Sequence, residues 1–169
     1  MIEILNVIKK KSDRTFLFQT KDPKTYNRIE VWPENVILGI TLETNEDKLY
    51  QHYNISRAPL PSVRFVDFMN VKHSRKMVTI EPIIQFSDVQ LVTWIKQLNL
   101  EMVWTDYESK NEKNTLPEPT FEEFKGLYEA LRKCKRVHPG LLKNSMDVIY
   151  LKVHVKDNHT GISRYLGID

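Results

Sequence analysis

Cysteine is nearly absent: the 169 residues contain only Cys134. No disulfide can close within the chain, and no zinc or iron–sulfur site built on several thiolates can form from it alone. A reducing compartment suits such a composition, so cytoplasmic residence is expected. Charge of one sign is scarce as well. Lys and Arg number 25 against 22 Asp and Glu, a net charge of +3, which is too small an excess to argue nucleic-acid binding. The short basic runs KKKSDR and RKCKR read as solvated helix ends. No stretch approaches the roughly 20 apolar residues that a membrane helix needs, so no membrane partner is expected. The first residues, MIEILNVIKKKSDR, put the apolar part before the basic part and are too short in apolar length for a secretory signal. GxGxxG, Walker and GxSxG patterns are all missing, which removes the common dinucleotide, nucleotide and hydrolase signatures. His52, His73, His138, His154 and His159 show no metal-ligand spacing with a cysteine, and no metal site is expected.

What is present is the composition of an ordinary globular chain, 41% hydrophobic and 28% charged. Its length fits a single α/β domain over residues 1–169, although the tail from Asp157 to Asp169 holds too little apolar material to define an element. Apolar runs rich in β-branched and aromatic residues predict strands at Thr15 to Gln19, Val36 to Leu42, Met77 to Ile80, Leu100 to Thr105 and Val148 to Val155. The last alternates most clearly, as an edge or final strand does. Helical spacing appears in Ile2, Ile4, Leu5 and Ile8, in Glu46 to Tyr53, and in Ser62 to Val71 with Val63, Val66, Phe68 and Met69. Ser87 is placed to cap a helix bearing Val89, Val92, Trp94, Ile95 and Leu98. Thr120 and Glu123 form a capping box ahead of Phe121, Phe124, Leu127, Tyr128 and Leu131. Ser109 to Pro119 reads as a polar loop. The alternation of strands and helices predicts a mainly parallel sheet of about five strands, either doubly wound or part of a (β/α) barrel. Five strands are too few to close an eight-stranded barrel.

In parallel α/β proteins ligands bind where the strands end. The strands here run into Gln19, Thr20, Lys21 and Asp22, then Thr41, Glu43, Thr44 and Asn45, then Thr79, Glu81 and Pro82, then Thr105, Asp106, Tyr107 and Glu108. Thr20, Lys21, Glu43, Glu81 and Asp106 are therefore the candidate binding residues, and Lys21 brings a cation into a rim otherwise rich in carboxylates. Polar strand ends are common in exposed loops, so any one of these residues by itself reads more simply as solvated. The set is more informative, because Glu43 and Glu81 directly follow apolar strands and a carboxylate there must be paired, hydrated or functional. No catalytic residue is assigned. Cys134 reads as structural.

The blocks FLFQTKDPKTY, PENVILGITLETN and RKMVTIEPI resemble a radical-SAM-like family of phage and prokaryotic proteins. Members show an FLxxTK strand followed by a proline, a PxNVxLGxTxE strand and a strand ending in SIEP. The resemblance covers Thr15 to Glu108 and implies a partial TIM-like (β/α) barrel that binds S-adenosylmethionine along its strand ends. It also implies a [4Fe–4S] cluster held by a CxxxCxxC loop, which this sequence does not contain, so a cluster is expected only if another chain or segment supplies it. The implied function is the later half of such a barrel, contributing to an S-adenosylmethionine or substrate site, with Lys21, Glu43 and Glu81 near it. The implied partner is a chain carrying the cluster half, or further copies of the same chain. The alternative is a non-catalytic α/β binding or assembly domain that kept the scaffold. A small doubly wound enzyme using Glu43 and Glu81 as acid and base is a third reading.

Overall fold

A computed structural model describes residues 2–105, 116–133, 136–139 and 149–151. The main elements among them are α1 (Ile2–Lys10), β1 (Phe16–Thr20), β2 (Val36–Thr41), α2 (Asp47–His52), α3 (Pro61–Met69), β3 (Lys76–Ile80), α4 (Asp88–Gln97), β4 (Met102–Thr105) and α5 (Phe121–Arg132). A 3-10 helix, Pro23–Arg28, joins β1 to β2, and two short strands follow, β5 (Arg136–Pro139) and β6 (Ile149–Leu151). The body of the sheet is β4-β3-β2-β1, with β5 beside β4 and β6 beside β1, and every pairing is parallel. The α/β character and the parallel sheet thus agree with the sequence reading, while four strands form the body instead of about five. The fifth expected run, Val148 to Val155, appears as the edge strand β6 over Ile149–Leu151, and its remainder lies outside the described residues. Asp157 to Asp169 also lie outside them.

Alternation along each strand sorts the side chains onto two faces. Phe18, Val36, Leu38, Ile40, Val78, Ile80 and Val103 share one core with Phe65, Phe68, Leu91, Ile95, Leu127 and Leu131 from α3, α4 and α5. The residues between them, Leu17, Ile37, Met77 and Met102, form a separate cluster with Trp104 against it. The helices named therefore cover one face, and the second cluster is made of strand residues alone. Gly39 lies on that second face, where a Cβ would come within 3.0 Å of Met77 Cγ and 3.3 Å of Leu17 Cδ1. A side chain there would displace both neighbours.

One helix, α3, buries a different face from the one its valines outline. In α3 the buried residues are Pro61, Arg64, Phe65 and Phe68, and the expected Val63, Val66 and Met69 are exposed. Two aromatic rings remove more apolar area than the valines would, and Phe65 stacks on Trp94 with ring centroids 4.6 Å apart. In α4 the expected Trp94, Ile95 and Leu98 are buried and Val92 packs against the core, while Val89 is exposed and Leu91 is buried in addition. In α1, Ile8 is buried while Ile4 is exposed, and Lys9 and Lys10 fall in the last turn as the helix dipole favours. Ser87 holds the N-cap position of α4 but makes no side-chain capping bond. Its backbone N–H donates to Asn45 Oδ1 (2.9 Å) instead, and its carbonyl accepts from Asn45 Nδ2 (3.0 Å). The capping box at α5 forms in full, with Glu123 N–H donating to Thr120 Oγ1 (3.2 Å) and Thr120 N–H to Glu123 Oε2 (2.7 Å).

The 3-10 helix between β1 and β2 has no apolar period that would announce it. Pro23 sets its first turn, and Tyr26 pins it to the sheet, the hydroxyl lying 2.7 Å from both the Phe18 and Gly39 carbonyls. Burial pushes that phenol well above its ordinary value, and the Gly39 hydrogen bond offsets only part of the rise. Tyr26 stays a neutral donor bridging two adjacent strands.

Candidate functional site

The carboxyl ends of β1 and β2 are adjacent, and the residues just beyond them meet. Glu43, two residues past β2, is fully buried. A buried carboxylate must find cations or donors, and Glu43 finds two cations. Arg64 in the first turn of α3 donates from Nη1 to Glu43 Oε2 at 2.8 Å, and Lys21, just past β1, forms an ion pair with Oε1. The two oxygens are served differently. Oε2 takes the Arg64 hydrogen bond, and Oε1 is held by the Lys21 ammonium in the second ion pair.

Arg64 is locked in place. Its Nε donates to the Pro59 carbonyl (2.6 Å), Nη1 also donates to the Thr41 carbonyl (2.8 Å), and Nη2 donates to the Tyr50 hydroxyl. The guanidinium carbon lies 4.7 Å from the Tyr50 ring centroid, and the Tyr50 hydroxyl lies 2.5 Å from Ser56 Oγ. Its planar fork thus ties the end of β2, α2 and the segment before α3 into one unit. Asp47 reinforces that unit by accepting from the Ser62 N–H at 3.0 Å and from the Ser62 hydroxyl. Sequence reasoning missed Arg64, since nothing in a helical pattern of valines and phenylalanines flags an arginine as buried. The available signal was the buried carboxylate itself, which needs a partner.

Beneath this cluster the second face of the sheet is polar. Gln19 and Thr41 alternate in register with Leu17 and Ile37, and Gln19 Nε2 donates to Thr41 Oγ1 at 2.9 Å. Thr79 pairs with both Thr41 and Trp104 across the strands. A polar rung therefore lies above an apolar one on the same face.

Of the expected site residues, Lys21 and Glu43 are brought together. Thr20 is turned aside, with its hydroxyl accepting from the Asp22 N–H at 3.0 Å. Glu81 follows β3 at the same end of the sheet, but it is exposed, precedes a cis bond to Pro82, and takes no part in the Glu43 ion pairs. Asp106 lies outside the described residues, as do Tyr107, Glu108 and Cys134. Thr44 and Asn45, read from sequence only as polar strand-end residues, instead fasten the β2 loop to the β3 loop: Thr44 Oγ1 donates to the Gln85 carbonyl (2.7 Å), and Asn45 holds Ser87.

Among the described residues no group of His, Cys, Asp and Glu gathers to hold a metal ion, and no helix is long and apolar enough to cross a membrane. A surface groove of about 310 Å³ runs between α4 and α5, lined by Val89, Val92, Leu127 and Ala130 among others, and shares no residue with the Lys21–Glu43 cluster. The chain matches no family model, no curated protein and no solved structure.

Proposed function

We propose that this chain is the later half of a radical-SAM-like partial barrel, whose strand-end rim contributes to a site for S-adenosylmethionine or its reaction partner. The observation that carries the reading is the meeting of Lys21 and Glu43 beyond two adjacent parallel strands, at the sheet edge where α/β proteins bind ligands. Two further features support it. Strand order is cyclic, β1 to β5 in succession with β6 returning beside β1, as in a barrel left open between its last two strands. The helices share one face, leaving the other lined by strand residues, as a barrel interior is.

The iron–sulfur cluster of that family does not fit this chain, because one cysteine stands where three thiolates are needed. A cluster would have to come from another chain or segment. S-adenosylmethionine, once bound, supplies the activated sulfonium. This chain's contribution is to bind and orient: Gln19, Thr41 and Thr79 offer hydroxyl and amide groups, and Glu81 accepts from ribose or substrate hydroxyls.

Calorimetric titration with S-adenosylmethionine tests the reading, first on the chain alone and then with whatever chain copurifies from the native host. Saturable heat in either case supports the site. No heat in both, with unchanged melting temperatures, leaves the non-catalytic scaffold as the surviving description.

A further inference from the structure

The amino end of the sheet gathers charge that the composition hides. Two segments approach strands there, residues 8–14 ahead of β1 and 72–75 ahead of β3, and both are fastened to the start of β2. The side-chain amide of Asn35 meets three carbonyls of the first segment, Ile8 (3.1 Å), Lys11 (3.0 Å) and Arg14 (3.0 Å). That turn is closed further by the Lys11 N–H on the Ile8 carbonyl (3.0 Å) and the Arg14 N–H on the Lys11 carbonyl (3.1 Å). From the other side, the His73 ring donates from Nε2 to the Val36 carbonyl (2.8 Å), and Arg75 Nη1 reaches the Glu34 carbonyl (3.4 Å). Glu34, Asn35 and Val36 thus hold the two segments side by side.

These stretches carry Lys9, Lys10, Lys11, Arg14, Lys72 and Arg75 against Asp13 and Glu34, a surplus of four positive charges where the whole chain has +3. The balance is made up elsewhere, and Asp22, Glu46, Asp47, Glu81 and Asp88 follow strands at the opposite rim. Lys9, Lys10, Lys11, Arg14 and Lys72 are all exposed. Among the described residues the four lysines have no ion-pair partner, and Arg14 has only Asp13 at 4.0 Å. The helix dipole accounts for Lys9 and Lys10 in the last turn of α1. It does not account for Lys11 and Arg14 beyond that turn, or for Lys72 ahead of another strand. We propose that this edge is a docking surface for the phosphate backbone of duplex nucleic acid, separate from the carboxyl-end rim. Cations already fixed in place and free of carboxylates gain most when they displace the counterions condensed on a duplex. No Phe, Tyr or Trp lies on these stretches, so splayed bases find nothing to stack on, and the contacts are to phosphates without sequence readout. A lipid surface fits less well. Ile8 and Val36 are buried, and the exposed apolar side chains of α1, Ile4 and Val7, fall short of the whole face that an interfacial helix buries.

The test is fluorescence anisotropy of a labelled DNA duplex of mixed sequence, titrated with the full chain between about 50 and 200 mM salt. Binding in the range of roughly 10⁻⁶ to 10⁻⁴ M is expected near physiological salt, and five phosphate contacts would give a log–log salt slope of about −4.5. Lys10→Gln/Lys11→Gln, at exposed positions that leave the core untouched, should flatten the slope by about 2 and weaken binding roughly 10- to 100-fold. Lys24→Gln/Lys48→Gln removes the same charge from exposed positions beyond β1 and β2 and should change neither quantity. Equal losses from the two pairs would reveal a general charge effect and overturn the surface. Binding to phosphatidylserine vesicles without binding to the duplex would overturn it in favour of a membrane contact. No duplex binding at the lowest salt would overturn it outright, and would leave the carboxyl-end site untouched.

Discussion

Each end of the sheet carries an arginine–glutamate pair, and the two are built in opposite ways. At the amino end, Arg75 ahead of β3 meets Glu101 ahead of β4 in a two-pronged contact, Nε to Oε2 and Nη2 to Oε1, both at 2.9 Å. Both side chains are about a third exposed. The hydrogen bond to Glu101 holds the Arg75 guanidinium above its ordinary value, against the opposing effect of partial burial. At the carboxyl end, Arg64 gives Glu43 a single hydrogen bond at 2.8 Å and spends its other donors on backbone carbonyls and Tyr50, in full burial. The better fork is on the solvent side, where water and salt screen it. The poorer fork is the one that the fold cannot lose, because removing one partner strands a desolvated charge.

The sharpest way to break this contrast is Arg64→Met. It leaves Glu43 buried without its Oε2 donor and should cost about 3–5 kcal/mol in urea unfolding, with much of that recovered in the Arg64→Met/Glu43→Leu double variant. A cost below about 1 kcal/mol would mean that the buried pair is relaxed by water and that the two ends are equivalent.

Lys76 sharpens the comparison from the amino end. It is buried on the helix-covered side, 3.3 Å from the Phe68 carbonyl and 5.2 Å from that ring's centroid, and burial lowers its ammonium from the ordinary 10.5. Between the lowered value and 10.5 the unfolded chain binds more protons than the folded one, so stability rises with pH across that interval. Lys76→Met should abolish the rise and be neutral or stabilising by up to about 1 kcal/mol at pH 7. A pH–stability curve identical to that of the parent chain would refute it.

The smallest effect belongs to the exposed fork. A double-mutant cycle on Arg75→Ala and Glu101→Ala should give a coupling of about 0.2–1 kcal/mol, shrinking as salt is raised. A salt-independent coupling above 2 kcal/mol would erase the distinction between the two ends.

Much of the frame was legible in the sequence for a simple reason: β2 and β3 are buried residue after residue, and short apolar runs rich in β-branched residues point to that. The capping box at α5 was equally plain, since Thr120 and Glu123 carry their own hydrogen-bond logic. Helix faces were less legible. Val63, Val66 and Met69 mark a stripe as well as Arg64, Phe65 and Phe68 do, and the choice was made by a carboxylate two residues past a strand. The 3-10 helix has no period to read. At the rim the sequence pointed to Lys21 and Glu43 through position alone, and it could not separate them from Glu81, which lies at the same edge but outside the cluster.

The ties between the β2 and β3 loops have a mechanical consequence. Ile84 N–H donates to the Glu43 carbonyl at 3.1 Å, Thr44 reaches the Gln85 carbonyl, and Asn45 holds both backbone groups of Ser87. Consecutive loops joined in this way open together or not at all, as one cooperative unit. The amides of Ile84 and Ser87 should then exchange with deuterium at matched rates, and Asn45→Ala should raise both at once. The paired β2 and β3 loops thus form the braced side of the rim, while Lys21 reaches Glu43 from the β1 side.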